Sequence, residues 1–205
     1  IDTDIIQMNE EHIWSGDPKN NRPQDLEFRN KIDRIRELIL AGREDEADQY
    51  ARDNLTFRRI KSFETAGELY LTYHKDAVCQ NYRREIDLMR GIANITYQKD
   101  GVNYSRTLFA SHPKRMICFR AAADQKGALN MDISFKRPNL IERTIDGDTI
   151  IARGKTVFGE HYFTLKIKIV PEGGSVRYGA DSTVITEADA CCIYVRIETG
   201  STPSM

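Results

Sequence analysis

Hydrophobic and polar positions follow two different periods along this chain, and the change falls near residue 67. Before it, apolar residues recur at the three- and four-residue spacing of an amphipathic helix. They are Leu26, Phe28, Ile32, Ile35, Leu38 and Ile39. A helix is therefore predicted from near Asp25 to a stop at Gly42, and a second helix from about Glu44 to Asn54. The tight connection predicts an antiparallel pair that needs a further apolar surface to cover it.

After residue 67 the apolar positions alternate with polar ones, as in strands that are buried on one face. The clearest run places Phe163, Leu165, Ile167 and Ile169 on one side. Asp100-Gly101 and Asp146-Gly147 are typical of hairpin turns between such runs. We expect about ten to twelve short strands, all antiparallel, because no helical pattern separates them.

Together the two periods predict a mainly β fold: a large antiparallel β-sandwich, supersandwich-like, with a helix pair inserted near residues 25–55. A single sandwich domain is expected over residues 1–199, followed by a tail or linker start at residues 200–205. The 205-residue length fits one large domain, and 40% hydrophobic residues favour a buried core over disorder.

Charge and reactive side chains narrow the possible partners. The chain holds 30 Lys and Arg against 31 Asp and Glu, which argues against a nucleic-acid partner. No stretch approaches the roughly 20 apolar residues that a membrane span needs. The four histidines are scattered and the four cysteines lack C-x-x-C spacing, so no metal and no cofactor is predicted. The cysteines are expected to be buried free thiols, with the adjacent Cys191 and Cys192 on opposite faces of a strand.

The segment from Gln7 to Pro18 has the most unusual composition of the chain. It begins as a strand-like run and continues as a polar loop that holds Trp14, the single tryptophan. This ring could contact a sugar or a neighbouring domain, or it could cover the apolar end of the helix pair. Asn9, Glu10 and Trp14 are therefore candidates for a sugar- or domain-contact loop, whereas no catalytic residue is predicted.

Glycosidic chemistry needs two facing carboxylates, and one sequence cannot pair them. Glu10 is the best candidate of a weak set, although it could instead accept backbone N–H groups from the turn at Ser15-Gly16. Glu85 and Asp87 share a strand face, and an ion pair with Arg83 or Arg84 is the favoured interpretation of them.

A phosphate-binding loop is rejected. Gly154-Lys155-Thr156 imitates the end of one, but Thr149 stands where the earlier glycine is required.

Three separated stretches resemble the amino-terminal domain of glycoside hydrolase family 95, the α-L-fucosidase-like enzymes. The first, Gln7–Pro18, is close to the family pattern N-E-x-x-[aliphatic]-W-[ST]-G-x-P. The second is Gly67–Leu71 followed by Tyr82–Leu88, and the third is Tyr104–Pro113. Order, spacing and residue types agree over roughly residues 5–120.

The resemblance implies a non-catalytic sandwich from an inverting α-L-fucosidase-type hydrolase. In that family the catalytic groups belong to an α-helical barrel that follows in the same polypeptide and is absent from this chain. That barrel and fucosylated or related glycans are the implied partners, and a secreted or periplasmic parent enzyme is favoured. The family's Gly-rich first strand has only Ile1–Ile6 in its place here, which implies a trimmed front and an exposed sheet edge.

Two other functions stay open at this point. An independent carbohydrate-binding module would need an exposed aromatic platform, for which the candidates are Tyr70, Tyr73, Tyr97, Tyr104 and Tyr162. A dimerisation domain would need a long free strand edge.

Overall fold

The structure is a computed structural model that describes residues 2–15, 27–55, 63–74, 78–157 and 161–200. These residues form two helices, α1 (Phe28–Leu40) and α2 (Glu44–Asn54), and thirteen strands. The first seven strands are β1 Thr3–Met8, β2 Gly67–Tyr73, β3 Gln80–Asp87, β4 Ile92–Lys99, β5 Val102–Ser111, β6 Met116–Ala123 and β7 Leu129–Lys136. The others are β8 Leu140–Asp146, β9 Thr149–Lys155, β10 Tyr162–Glu172, β11 Ser175–Tyr178, β12 Ser182–Ala188 and β13 Ala190–Gly200.

The chain divides into two compact units: Ile1–Ser15 with Phe63–Met205, and Gly16–Ser62. The first unit is a sandwich of two antiparallel sheets, with strand orders β1-β2-β7-β12-β11 and β3-β4-β5-β6-β13-β10-β9-β8. The predicted antiparallel β-sandwich is confirmed, and β1 lies at an edge of the five-stranded sheet.

The second unit contains the predicted helix pair. Helix α2 has the bounds that the sequence predicted, and α1 ends before Gly42, whose φ of +70° is the left-handed conformation that ends helices. Leu38 on α1 and Ala47 on α2 are buried. The predicted start near Asp25 lies outside the described residues.

The core of the sandwich lies between the alternating inner faces of both sheets. On β10 the side chains of Phe163, Leu165, Ile167 and Ile169 are buried, as the alternation predicted. Asp100 and Gly101 both have positive φ in the β4–β5 turn, which confirms the predicted hairpin.

Strand β12 escaped sequence prediction because its pattern is broken. A bulge shifts its pairing with β7 between Ile185 and Ala188, and both side chains are fully buried. Since they are three residues apart, the two-residue alternation that marks a strand is lost.

The register brings several connections to one end of the sandwich. The β3–β4 turn at residues 88–91, the β5–β6 turn at residues 112–115 and the last residue of β13, Gly200, share one end of the eight-stranded sheet. The end of β9 and the start of β10 lie there too, since Lys155 pairs with Tyr162. This end is called the Gly200 end below.

Candidate functional site

The predicted contact loop follows β1 and is anchored by a buried aliphatic residue. Ile13 is fully buried, and its backbone N–H donates to Glu10 O at 3.2 Å while its carbonyl accepts from Glu64 N at 2.9 Å. The anchor fixes the loop on the sandwich, and the polar residues around it remain at the surface. Asn9 is exposed and makes no side-chain hydrogen bond to the described residues.

Trp14 lies against Phe63, on the far side of the Gly16–Ser62 unit in sequence. The ring centroids are 5.2 Å apart at 70°, an edge-to-face contact, and the two residues also form a β-bridge. Trp14 Nε1 donates to Glu11 O at 2.8 Å, which fixes the ring orientation. The contact thus links the residue shortly before the Gly16–Ser62 unit to the residue directly after it in sequence. Trp14 nevertheless keeps 43% of its surface exposed.

Glu10 binds His12 in two ways. Its carboxylate accepts the His12 backbone N–H at 2.9 Å, and its Oε1 lies 2.7 Å from His12 Nδ1. The side-chain hydrogen bond from Glu10, aided by its negative charge, raises the pKa of His12 above the ordinary value. Glu10 thus bonds locally to His12, two residues away, whereas the alternative acceptance from the turn at Ser15-Gly16 involves Gly16, which lies outside the described residues.

Glu10, Glu11 and His12 are the group of described residues whose donor atoms could share a metal ion, because they lie within 4.8 Å of one another. All three are consecutive and near the surface, and Glu10 and His12 already satisfy each other. The sequence contains no paired histidines at ligand spacing, and three consecutive polar residues are not a recognised metal motif. Exposed acidic groups of this kind are common without an ion, and these three residues do no more than offer a possible ligand set.

A buried ion pair between Arg137 and Glu64 lies next to the loop, because the Glu64 backbone N–H donates to Ile13 O. Arg137 Nη2 lies 3.2 Å from Glu64 Oε2, and its Nε donates to Thr65 O at 2.9 Å. The other Glu64 oxygen accepts from Val157 N at 2.9 Å. Burial lowers the pKa of Arg137, against the opposing attraction of Glu64. The sequence offered no signal for this pair, because its partners are distant along the chain.

A second polar centre lies between the two sheets. The buried Arg106 donates to Asp4 Oδ2 at 2.9 Å and to Tyr97 Oη at 2.6 Å, and its guanidinium stacks 3.6 Å from the centre of the Tyr73 ring. Tyr73 Oη donates to the same Asp4 oxygen at 3.1 Å. Burial raises the pKa of Tyr73 well above the usual range, so this hydroxyl stays protonated.

The cavity beside Arg106 is too small for a sugar. Its volume is about 20 Å³, which is room for about one water molecule. Tyr73, Tyr97 and Tyr104 are all buried around it, so these three cannot form the exposed platform considered for a carbohydrate-binding module. Tyr97 and Tyr104 instead stack on each other, with centroids 5.0 Å apart.

Other candidate chemistry has structural roles. Glu85 pairs with Arg83 at 2.5 Å, so the favoured ion-pair interpretation is confirmed for Glu85. Asp87 accepts backbone N–H groups in the β3–β4 turn. Gly154 lies within β9, where a Cβ atom would stand 2.1 Å from the Phe163 ring, so close packing accounts for this glycine.

The four cysteines are free thiols. Cys118 and Cys191 are buried, whereas Cys79 and Cys192 are half-buried. The neighbours Cys191 and Cys192 thus face opposite sides of β13, as predicted. Burial raises the pKa of Cys191 to about 12.

Comparison with known proteins decides the family. The sequence profile described as "Glycosyl hydrolase family 65, N-terminal domain" matches residues 1–203. The chain belongs to this family. The resemblance to an amino-terminal glycoside hydrolase domain is thereby confirmed, although the matching profile carries family number 65 where the motifs suggested 95.

This glycosyl hydrolase amino-terminal domain is also similar to a plant protein. "Alpha-L-fucosidase 2" of Arabidopsis thaliana is 28% identical over 138 residues, which are 66% of this chain and 16% of that protein. The chain therefore spans about a sixth of the length of that relative. A solved structure from the human microbiome, provisionally named a kojibiose phosphorylase, aligns with 65% of this chain and 22% of its own at 11% identity and a TM-score of 0.45.

Among the described residues of this domain, neither helix is long and apolar enough to cross a membrane.

Proposed function

We propose that this domain is the non-catalytic amino-terminal part of an α-L-fucosidase-like glycoside hydrolase, and that it braces the catalytic α-helical barrel of the same polypeptide. The observation that carries the proposal is the family match over residues 1–203 in a chain that spans only 16% of its fucosidase relative. In this proposal residues 1–199 form the sandwich domain with its helical insertion, and residues 200–205 start the linker.

The carboxylates described above support a non-catalytic role. A glycosidase acid needs a carboxyl group that is free to give its proton to the leaving oxygen. Glu10, Glu64 and Glu85 each accept hydrogen bonds from neighbouring protein groups. Glu10 stabilises the loop Asn9–Trp14, Glu64 binds Arg137 and Val157, and Glu85 binds Arg83 on β3. These contacts are structural roles.

The loop Asn9–Trp14 is proposed as this domain's contribution to the sugar site or to the contact with the barrel. Trp14 is held by Phe63 and by Glu11 O but remains partly exposed, so its ring is oriented before any ligand arrives. A pre-oriented aromatic ring provides contact area at low entropic cost.

The proposal is tested in a polypeptide that carries the catalytic domain after this chain. Removal of residues 1–199 should lower the temperature at which fucosidase activity is lost, because the barrel loses its support. Trp14→Ala should raise KM for a fucosylated oligosaccharide, whereas Tyr82→Ala, an aromatic of similar exposure on β3, should not. Full activity and thermal stability without residues 1–199 would contradict the bracing role.

An independent carbohydrate-binding module is a second candidate, favoured by one groove. An open groove of about 450 Å³ on the outer face of the eight-stranded sheet is lined by amides and hydroxyls, including Asn81, Gln98, Asn103 and Ser105. Such groups recognise sugar hydroxyls. Titration calorimetry of this chain with fucosylated and galactosylated glycans tests it: saturable binding that Gln98→Ala removes would support the module.

A further inference from the structure

The β3–β4 turn presents the two most exposed large apolar side chains among the described residues. Leu88 is 87% exposed and Met89 is 95% exposed. Ile86, two residues before Leu88 on β3, is 62% exposed. Together they form an apolar tip on one hairpin, here called the Leu88–Met89 tip.

Hydrogen bonds fix the backbone of the turn that carries this tip. Asp87 Oδ1 accepts the backbone N–H groups of both Met89 and Arg90 at 3.0 Å, and Gly91 N donates to Asp87 O at 2.8 Å. Gly91 closes the turn with a φ of +65°. Exposed apolar side chains on an ordered turn do not stabilise the isolated domain. They do favour binding, because a turn that is already ordered loses less conformational entropy when a partner covers it.

Charge around the tip points to the chemistry of its partner. The two turns at the Gly200 end, residues 88–91 and 112–115, contain Arg90, Lys114 and Arg115, and the carboxylate that precedes the first turn, Asp87, is occupied by hydrogen bonds to the turn backbone. None of these three cations forms an ion pair within the described part of the chain. A matching surface would therefore be an apolar pocket with an acidic rim.

The tip lies at the end of the sheet where β13 also ends, and this position indicates which molecule supplies the pocket. Strand β13 leaves the sandwich at the same end, four strand spacings from β3, which is on the order of 19 Å. A domain that follows β13 is thus tethered beside the tip at high effective concentration, so a small patch suffices. Two free copies would need about 800 Å² from each partner, more than one hairpin tip offers.

We propose that the Leu88–Met89 tip inserts into an acidic-rimmed apolar pocket on the catalytic domain of the same polypeptide. This inference rests on the function proposed above and adds the anchor through which the two domains contact each other. Leu88 and Met89 supply the buried area, and Arg90, Lys114 and Arg115 pair with the rim.

Oxidation of Met89 by dilute hydrogen peroxide, followed by peptide mass spectrometry, tests the insertion without any substitution. The 205-residue chain should form the Met89 sulfoxide quickly, because the side chain is exposed. In a polypeptide that continues into the catalytic domain the rate should fall about tenfold or more, since the sulfur is covered. Met8 and Met131 are fully buried in the sandwich core, and their resistance in both samples reports that the sandwich is intact.

Two matched substitutions provide the second measurement. Met89→Asp should lower the unfolding midpoint of the longer polypeptide by about 5 °C, because a charge would enter an apolar pocket. Val78→Asp is the control, since Val78 is 83% exposed and lies beyond the other end of β3, and it should leave the midpoint unchanged. In the 205-residue chain both variants should unfold like the parent.

Each outcome decides the inference. An equal Met89 oxidation rate in the two polypeptides would overturn it while leaving the bracing role intact. Protection that grows with the concentration of the 205-residue chain would assign the tip to a second copy, and protection only by anionic vesicles would assign it to a membrane; both would also overturn it. Hydrolysis of fucosides by the 205-residue chain alone would instead refute the proposed function itself.

Discussion

Arg106 of the eight-stranded sheet reaches Asp4 of the five-stranded sheet, with 2.9 Å between Nη1 and Oδ2. The guanidinium is buried and is flanked by the Tyr73 and Tyr97 rings, 3.6 and 4.6 Å from their centres. A charge of this kind is tolerated in a core only because its partners satisfy it. The pair therefore sets how the two sheets sit on each other at this position.

Loss of this pair should destabilise the sandwich strongly. Arg106→Met keeps much of the side-chain length but removes the positive charge that pairs with Asp4, leaving that half-buried carboxylate with the Tyr73 hydroxyl as donor and removing the donor to the Tyr97 hydroxyl, so we expect a loss on the order of 3 kcal/mol in urea unfolding. Arg120→Met removes an exposed pair with Glu172 and should cost less than about 1 kcal/mol. Equal effects of the two substitutions would show that the buried pair has no special weight.

Trp14 and Phe63 should be energetically coupled. In a double-mutant cycle with Trp14→Leu and Phe63→Leu, we expect a coupling free energy of about 0.5–1.5 kcal/mol, because each change removes the same edge-to-face contact. A cycle that combines Trp14→Leu with Val78→Ala provides the control and should be additive. Additivity in both cycles would mean that the ring contact does not hold the base of the inserted unit.

The pKa of His12 should depend on Glu10. The hydrogen bond stabilises the imidazolium, so an NMR titration of the native protein should give a His12 pKa above the ordinary value. The contribution of this pair to stability is then complete below the ordinary pKa and is lost as pH rises through the raised one. Glu10→Gln should return the pKa towards its usual range, whereas Glu11→Gln, whose contact is 4.0 Å, should change it less. An unchanged pKa in Glu10→Gln would disprove the contact.

The four thiols should react with iodoacetamide in a set order. Burial raises the pKa of Cys118 and that of Cys191, the latter to about 12, so both remain protonated and covered at pH 8. The half-buried Cys79 and Cys192 should be labelled first, as read by mass spectrometry of the native protein. Early labelling of Cys191 would contradict the position of β13 in the core, and labelling in urea provides the control for total reactivity.

Most helices and strands could be predicted from the local spacing of apolar residues. The elements that could not be predicted depend on irregular pairing or on contacts between residues that are distant in sequence. The helix α2 and the inner face of β10 follow directly from residue spacing, because each pattern is regular over its whole length. Strand β12 has a bulge between Ile185 and Ala188, which removes its alternation from the sequence.

The same limit applies to the candidate site. Composition singled out Trp14, but its contact with Phe63 spans the whole inserted unit, and no local signal encodes it. The pairing of Glu64 with Arg137 is equally distant along the chain. The exposure of Leu88 and Met89 could not be predicted either, because apolar residues in a strand-like run are ordinarily assigned to the core.

Turnover of an α-1,2-fucosylated oligosaccharide tests the central claim most directly, with the 205-residue chain compared against a polypeptide that also carries the catalytic domain. The account predicts fucose release by the longer polypeptide and none above the buffer blank by the 205-residue chain at equal concentration. Robust release by the 205-residue chain, abolished by Glu10→Gln, would place catalysis within these residues and contradict the account.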